Sequence, residues 1–288
     1  MDLLSIIKKA EKAKVAIGHF NFSNLEQLKA IAETAKKLNL PVVVGVSEGE
    51  REFIGVAEAV AMVKALKKEL GIDIFLNADH THSLEKVKEA AAAGFDAIVF
   101  DVSKLPLDEN IKMTKEAVKA AKSINKNILI EGELGYIGAG SEVIKELPKD
   151  AAISSEFFTK PEEASRFVLE TGVDLLAPAV GNIHGIIEGI GNPALDILRI
   201  EGIKNLAKKP LVLHGGSGIK DEDFLSAIAA GVSIIHISTE LRVAWRAGLE
   251  KDLKKMPNEV APYKIMADSV EEMKKVVEGR LRLFNRIG

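Results

Sequence analysis

The sequence of 288 residues contains no cysteine. This absence excludes disulfide bonds, thiolate nucleophiles and metal sites with cysteine ligands. Histidine, aspartate and glutamate are left as the side chains able to hold a metal ion. A chain without cysteine is also compatible with a reducing compartment, and we expect it to be cytoplasmic.

Long apolar runs are missing as well. No run approaches the roughly 18 residues that a membrane-spanning helix needs. Residues 1–14 form a predicted amphipathic helix with lysines spread through it, and they lack the apolar region and cleavage site of an export signal. The sequence therefore predicts neither a membrane protein nor an exported one.

The chain also lacks any block of like charge. Its 39 Lys and Arg are interleaved with 42 Asp and Glu, and the formal net charge is -3. No basic face is available to neutralise a nucleic-acid backbone, so a nucleic-acid partner is not expected. The hydrophobic fraction of 47% is sufficient to bury a large core.

Short apolar runs alternate with longer helical stretches along the whole chain. The runs are nearly continuous in valine, isoleucine, leucine and alanine, as expected for parallel strands that are covered on both faces. Eight strands are predicted, at residues 15–19, 42–46, 74–78, 97–100, 128–131, 175–177, 211–213 and 234–237.

This alternation predicts the fold class α/β, as a single (β/α)₈ TIM barrel over residues 1–288 with an additional C-terminal helix at about 269–287. An open doubly wound sheet is the alternative. It is disfavoured because no G-x-G-x-x-G sequence follows the first strand. The one long irregular segment, at about 135–158, predicts a mobile loop over the site.

The positions of the six histidines are the most informative feature of the sequence. His80 ends the third strand, His184 follows the sixth and His214 ends the seventh. Side chains from the carboxyl ends of barrel strands converge at one mouth. Each of these residues alone could be an ordinary buried histidine, but three together suit a four-coordinate metal that keeps one position open.

Further candidates lie next to these histidines. Asp79 precedes His80 and is predicted as a general acid or base; the alternative is a carboxylate that only orients His80. The turn 215–218, G-G-S-G, opens a helix, so its backbone N–H groups predict an anion site. Ser238 and Thr239 form a neighbouring turn after the eighth strand.

Seven segments of the chain follow one another as GHFNFSN, VVVGVSEG, NADHTHS, EGELGYIG, AVGNIHG, LVLHGGSGI and HISTELR. In this order they resemble the class II ketose-bisphosphate aldolases over nearly the whole chain. The resemblance implies Zn²⁺, or another divalent metal, on His80, His184 and His214, with Asp79 moving a proton at the C4 hydroxyl. It also implies a phosphorylated sugar substrate, a homodimer or homotetramer, and a monovalent cation as a further cofactor.

The same resemblance assigns the remaining positions of the site. Glu133 is implied to support the metal, with a structural salt bridge as the alternative, and Arg242 could instead be an exposed helix charge. The contacts to substrate and phosphate that the resemblance implies are Asn21, Ser47, Gly185, Gly215, Ser217 and Arg242. From their places in the glycine turn and at the end of the eighth strand, we also expect Gly216, His236, Ser238 and Thr239 to contact substrate or phosphate.

Several positions depart from the family pattern. His236 and Ser238 stand where relatives commonly have Asn and Asp, so a carboxylate that helps to select the sugar is replaced by a hydroxyl. Glu188 lies near the place of a lysine, and Asn77 replaces the first histidine of H-x-D-H. In the glycine loop after the fifth strand, only Glu142 is left as the second proton donor.

These features predict the reversible cleavage of a ketose 1,6-bisphosphate, foremost fructose 1,6-bisphosphate, to dihydroxyacetone phosphate and glyceraldehyde 3-phosphate. The nearest alternative is the same reaction on tagatose 1,6-bisphosphate or another phosphorylated ketose. The sequence also permits a metal-dependent hydrolase or deaminase on the same barrel, or a barrel kept as a scaffold. Imidazole ligands suit zinc, cobalt and iron, so the native metal stays open.

Overall fold

The computed structural model describes residues 1–138, 140–146, 154–189 and 191–288. Eight strands in this part of the chain close a parallel barrel in the order β1-β10-β9-β7-β5-β4-β3-β2, while β6 and β8 form a small separate sheet. The strands are β1 (Ile17–Asn21), β2 (Val42–Val46), β3 (Ile74–Thr81), β4 (Ala97–Phe100), β5 (Leu129–Leu134), β6 (Val143–Ile144), β7 (Leu175–Pro178), β8 (Ile186–Ile187), β9 (Leu211–Leu213) and β10 (Val232–Ile237).

Helices surround the barrel and cover its outer face. Because β1 pairs with both β2 and β10, the sheet is closed, which confirms the predicted barrel and makes the open doubly wound sheet wrong. Within the described residues the helices are α1 (Leu3–Ala13), α2 (Leu25–Leu38), α3 (Glu48–Ile54), α4 (Val56–Leu70), α5 (Leu84–Ala93), α6 (Leu107–Ile124), α7 (Pro161–Thr171), α8 (Ile197–Ala207), α9 (Asp221–Ala230), α10 (Thr239–Lys255) and α11 (Ala267–Phe284).

Helix α1 closes one end of the barrel. Its buried face carries Leu3, Ile6 and Ile7, which pack in one hydrophobic cluster with strand residues such as Val43 and Phe75. These strand residues lie in the amino-terminal halves of β2 and β3, so the plugged end is the amino-terminal one. The opposite mouth, at the carboxyl ends of the strands, is where loops can build a site. None of the helices in the described residues combines the length and the hydropathy of a membrane span.

The first strand begins later than the sequence predicts, at Ile17 instead of residue 15. Lys14 caps α1 in the left-handed conformation, and the backbone N–H of Val15 donates to the carbonyl of Ala10. The C-terminal turn of the helix therefore takes up these residues, because its last carbonyls need donors.

Two strands extend three residues further toward the mouth than the sequence predicts. β3 ends at Thr81 instead of residue 78, and β5 ends at Leu134 instead of residue 131. The longer β5 includes Glu131 and Glu133, which share one face because residues two apart on a strand point the same way. The extensions thus carry charged side chains into the barrel mouth.

The loop predicted to be mobile, at about 135–158, lies partly outside the described residues. Residues 139 and 147–153 belong to the part that is not described, and the mobility itself stays a prediction. In the described part, β6 pairs in parallel with β8, and Val143 lies opposite Ile186. The first half of the loop is thereby tied to the turn that follows β7.

Candidate metal centre and active site

Three histidines from different strand ends meet at the carboxyl mouth of the barrel. His80 lies in β3, His184 lies between β7 and β8, and His214 follows β9. One ring nitrogen of each lies within 4.8 Å of those of the other two. The ring centroids are 4.8 Å apart for His80 and His184 and 5.0 Å apart for His80 and His214. Nitrogen atoms this close can share one cation.

Carboxylates hold the outer nitrogens of two of these rings. Nδ1 of His80 lies 3.0 Å from Oδ2 of Asp101, and Nε2 of His214 lies 2.6 Å from Oε1 of Glu131. An ionised carboxylate only accepts hydrogen bonds, so both ring nitrogens carry the proton. The lone pairs of His80 Nε2 and His214 Nδ1 are therefore left for a metal, an arrangement typical of metal-binding histidines.

The third ring is oriented by the backbone. Nδ1 of His184 donates to the carbonyl oxygen of Gly138 over 3.1 Å, which leaves Nε2 as the lone-pair nitrogen. In its neutral form, each of the three imidazoles therefore has a defined tautomer, with one nitrogen left to bind a metal.

Unpartnered polar atoms are concentrated at the same place. Among the described residues, the buried atoms without a hydrogen-bond partner include His214 Nδ1, Glu133 Oε2 and Asp79 Oδ1. Oε2 of Glu133 lies 3.4 Å from Nδ1 of His80 and 3.8 Å from Nδ1 of His214. Leaving such atoms buried and unpaired costs free energy, and a divalent cation at the three histidines would bind Nδ1 of His214 and offset the charge of the nearby carboxylates. The residues present therefore fit a metal.

The backbone at His80 departs from a regular strand. Adjacent strand residues point to opposite faces, yet Asp79 and His80 both line the same cavity. The register between β3 and β4 shifts between Ala78 and Thr81, and His80 has a φ of 39°. A non-glycine residue in this left-handed region costs on the order of 1–3 kcal/mol and is typical of functional sites.

Burial and neighbouring charges shift the pKa values of the cluster in different directions. Burial favours the neutral imidazole of His80, but the carboxylates of Asp79 and Asp101 outweigh it and raise the pKa to about 10. Burial, and then the nearby Asp101, raises the pKa of Glu133 to about 8. Burial lowers the pKa of His184 to about 3, and His80 reinforces the effect. Without a cation, the site therefore contains buried acids and imidazoles whose pKa values are far from their ordinary values.

Asp79 accepts a hydrogen bond on one oxygen, and its other oxygen lies beside the ring of His236. Its Oδ2 accepts from Nδ2 of Asn21 over 2.9 Å, and its Oδ1 lies 3.5 Å from Nδ1 of His236. Burial would raise the pKa of Asp79, but the neighbouring His80 and His236 outweigh it and hold the pKa well below its usual value. Asp79 is therefore an oriented, ionised carboxylate, as a general base requires.

His236 lies in a stack of imidazole rings. Its centroid is 3.5 Å from that of His19, with the planes 3° apart, and 4.0 Å from that of His214. Nε2 of His19 lies 3.1 Å from Nδ2 of Asn77. The stack fixes the orientation of His236 beside the carboxylate of Asp79, and Asn77 supports the stack instead of facing the three-histidine group.

The glycine turn after β9 approaches the turn after β7. Gly215 has a φ of 61°, and an added Cβ would lie 2.2 Å from the carbonyl oxygen of Ile183, so no side chain fits there. Asn192 connects the two turns, because its Nδ2 donates to the carbonyls of Gly185 and Ser217 over 2.9 and 2.8 Å. Fixed glycine turns of this kind present backbone N–H groups to an anion.

A buried carboxylate joins three of the predicted substrate contacts. Oε1 of Glu50 accepts from Nη2 of Arg242 over 2.8 Å. Its Oε2 accepts from Nδ2 of Asn21 over 3.1 Å and from the backbone N–H of Ser47 over 2.8 Å. Glu50 thereby sets the positions of all three.

The cavity at the mouth has a volume of about 590 Å³. Glu133 lies buried beneath the histidines and is not part of the cavity lining, and Glu142 is exposed outside it. The residues predicted from the sequence that line the cavity are Asn21, Ser47, Asp79, His80, His184, Gly185, His214, Gly215, Gly216, Ser217, His236, Ser238, Thr239 and Arg242.

Sequence reasoning missed the carboxylates that orient the rings, Asp101 and Glu131, and the buried Glu50. A signal was present for two of them. Glu131 interrupts an otherwise apolar run, and Asp101 follows one directly. Charged residues in such positions are almost never buried unless they are paired.

The fold and the site together define a class: a (β/α)₈ barrel with a candidate metal centre and an anion-binding turn at its carboxyl mouth. Comparison with known proteins then gives the family. The family model "Fructose-bisphosphate aldolase class-II" matches residues 1–288. The chain belongs to the class II fructose-bisphosphate aldolase family.

Individual relatives agree with this assignment. Fructose-bisphosphate aldolase of Geobacillus stearothermophilus is 34% identical over 291 residues, which cover 100% of this chain and 98% of that protein. The enzyme of Thermus caldophilus is 34% identical and covers 99% of this chain and 98% of its own. The crystal structure of the YdjI aldolase from Escherichia coli K12 superimposes with a TM-score of 0.80 at 27% identity, over 99% of this chain and 96% of that chain.

Proposed function

We propose that this protein is a metal-dependent aldolase that reversibly cleaves fructose 1,6-bisphosphate to dihydroxyacetone phosphate and glyceraldehyde 3-phosphate. One observation carries the proposal: three imidazole nitrogens lie within 4.8 Å of one another, at the mouth of the barrel. The ionised Asp79 beside them supplies the base. Family membership favours this lyase reaction over a hydrolase or a scaffold.

Zn²⁺ is the metal we propose, held by His80, His184 and His214. When bound, it supplies a Lewis acid that polarises the ketose carbonyl. The second cofactor, a monovalent cation, rests on the family resemblance alone. A homodimer or homotetramer is also expected from the resemblance, and a cytoplasmic location from the absence of cysteine.

Asp79 moves the first proton in the proposed mechanism. Its carboxylate accepts the proton of the C4 hydroxyl while the C3–C4 bond breaks, so C4 leaves as the aldehyde carbon of glyceraldehyde 3-phosphate. The bond's electron pair stays with C3 and is delocalised toward the C2 carbonyl. Asn21 holds the carboxylate in place through a hydrogen bond, and the ring of His236 lies beside it. In the direction of synthesis the same group returns the proton.

The second proton is delivered to C3 of the remaining fragment, and Glu142 is the residue that we propose for it. Its side chain is exposed and lies outside the cavity lining. The role therefore requires Glu142 to turn toward the mouth when substrate is bound.

The two phosphates are assigned to two parts of the cavity. Backbone N–H groups of Gly215 and Ser217 bind one phosphate, as glycine turns with inward N–H groups do, while that of Gly216 donates to the carbonyl of His236. Arg242 binds the other, because guanidinium groups pair well with phosphate oxygens. Both parts line the cavity that contains the three histidines.

Gly215→Ala is expected to lower kcat/KM for fructose 1,6-bisphosphate by roughly 10²-fold, the effect of a misplacement of about 1 Å in an active site. The added Cβ would meet the carbonyl of Ile183 at 2.2 Å, so the turn must move. The matched control is Gly172→Ala, which has a φ of 75° with no atom within 4 Å of the added Cβ. A turn that tolerates alanine at 215 without loss would contradict its assignment as the phosphate site.

Arg242→Met is expected to raise KM for the bisphosphate about 10- to 100-fold, the loss of one charged hydrogen bond. KM for a ketose 1-phosphate, which lacks the second phosphate, should change little. Arg246→Met on the same helix is the control, since that side chain is 70% exposed and pairs only with Glu250 within the described residues. Equal effects on both substrates would exclude Arg242 as the second phosphate contact.

A coupled assay of triose phosphate release tests the function itself. We expect cleavage of fructose 1,6-bisphosphate, loss of activity with a metal chelator and recovery with Zn²⁺. Tagatose 1,6-bisphosphate is assayed in parallel, because Ser238 leaves the sugar selection open. A folded, zinc-loaded chain that releases no triose phosphate from either sugar would disprove the proposal.

A further inference from the structure

We propose that Arg51 is a positioning residue that holds Asp79 and His80 in their working arrangement. The inference deepens the proposed function and rests on it for the roles of those two residues. Arg51 lies in α3, is 3% exposed, and does not line the cavity. It therefore acts through other residues, without touching substrate.

The guanidinium of Arg51 contacts the ends of β2 and β3 from outside the cavity. Its Nη1 donates to the carbonyls of Val46 over 2.6 Å and of Asp79 over 3.1 Å, and its Nη2 donates to Oγ1 of Thr81 over 3.1 Å. Its side-chain hydrogen bonds among the described residues thus all go to uncharged acceptors. Two of them lie on the residues directly before and after His80.

A guanidinium in such a place is costly. Burying a charge is unfavourable unless its donors are all bonded, and a carboxylate partner is the usual solution. Arg51 instead directs its donors to backbone and hydroxyl oxygens of β2 and β3. A buried guanidinium that bonds only to uncharged oxygens indicates that it fixes the conformation of the segment that it binds.

The segment it binds is the irregular end of β3. His80 has a φ of 39°, and the register to β4 shifts there. Such strained residues persist only where the surroundings determine them from several sides. Arg51 fixes both flanks of His80 and ties them to the end of β2 through Val46. Without it, β3 would relax toward regular alternation, and Asp79 and His80 would no longer both face the cavity.

The test uses Arg51→Met, which keeps the length of the side chain and removes its donors. We expect kcat and the affinity for Zn²⁺, measured by chelator competition, each to fall 10- to 100-fold, as for other residues that orient metal ligands. KM should change by less than about 3-fold, because the phosphate contacts are untouched.

Thr81→Val removes the acceptor at one flank with little change in shape, and we expect a smaller loss of kcat and of zinc affinity, about 3- to 10-fold. Thr81→Ser keeps the hydroxyl and should retain most of the wild-type kcat and zinc affinity. The double variant of Arg51→Met and Thr81→Val should lose less than the two single losses combined, since the two variants remove one shared bond; the bond from Thr81 Oγ1 to the carbonyl of Ala78 is independent of Arg51. Additive losses would overturn the proposal.

Thr34→Val is the matched control for the threonine change. Thr34 is 3% exposed, and its Oγ1 donates to the carbonyl of Ala30 within α2. It should leave zinc affinity at the wild-type value. Wild-type zinc affinity in folded Arg51→Met overturns the inference. If Arg51→Met does not fold, the inference is overturned by wild-type zinc affinity in Thr81→Val. Zinc affinity is measured without substrate, so these results stay separate from failure of the wild-type chain to cleave any ketose bisphosphate.

Discussion

His184→Ala is expected to abolish measurable cleavage of fructose 1,6-bisphosphate, with a loss of at least about 10³-fold, as when an essential catalytic group is removed. The substitution removes one of the three free imidazole nitrogens that lie within 4.8 Å of one another. Two nitrogen donors hold Zn²⁺ much more weakly than three, and the electron sink of the reaction is lost with the ion. Steady-state kinetics and zinc content, measured on the same sample, check the loss of cleavage and the loss of the ion.

The control for this experiment is another histidine at the same mouth. His82 lines the cavity, but its Nδ1 lies 2.8 Å from the backbone carbonyl of Asp101, and it belongs to none of the candidate metal groups in the described residues. His82→Ala should keep the zinc content of the wild type. Full activity in folded His184→Ala, or equal zinc loss in both variants, would remove His184 from the metal site.

Asp79→Asn is expected to lower kcat by about 10²- to 10⁴-fold while zinc binding is retained, which is the range for loss of a general base. The amide has nearly the shape of the carboxylate, but it cannot accept the C4 hydroxyl proton. KM should change much less than kcat, because the phosphate contacts stay in place. Pre-steady-state measurement of triose phosphate formation would place the loss in the cleavage step.

Asp174→Asn provides the same chemical change at a distance from the mouth. Asp174 precedes β7, and its Oδ2 accepts from the backbone N–H of Ile130. We expect near wild-type kcat in that variant. If Asp79→Asn lost zinc together with activity, Asp79 would be a carboxylate that orients His80 and supports the metal site, and not the base.

The barrel could be predicted because its strands are buried on both faces. Runs such as β2 and β4 are apolar at nearly every position, so hydrophobicity alone marks them. The strand ends could not be placed equally well. At β1 the capping turn of α1 takes the first residues, and at β3 and β5 the pairing continues into polar segments that carry no apolar signal.

The three histidines could be found from their positions after strands, since a barrel brings such positions together. The way in which Asp79 and His80 both reach the cavity could not be found. It depends on a φ of 39° at His80 and on the buried Arg51, and neither follows from local sequence preference. The stacking of His19 on His236 was equally hidden, because it joins residues that are far apart in the chain.

Anomalous diffraction at the zinc edge, from crystals grown with Zn²⁺, tests the three-histidine metal site most directly. We predict one peak per chain at about 2.0–2.1 Å from Nε2 of His80, Nε2 of His184 and Nδ1 of His214, the usual zinc–nitrogen distance. A zinc peak at another cluster, or no peak at these three nitrogens in a chain that cleaves fructose 1,6-bisphosphate, would contradict the assignment.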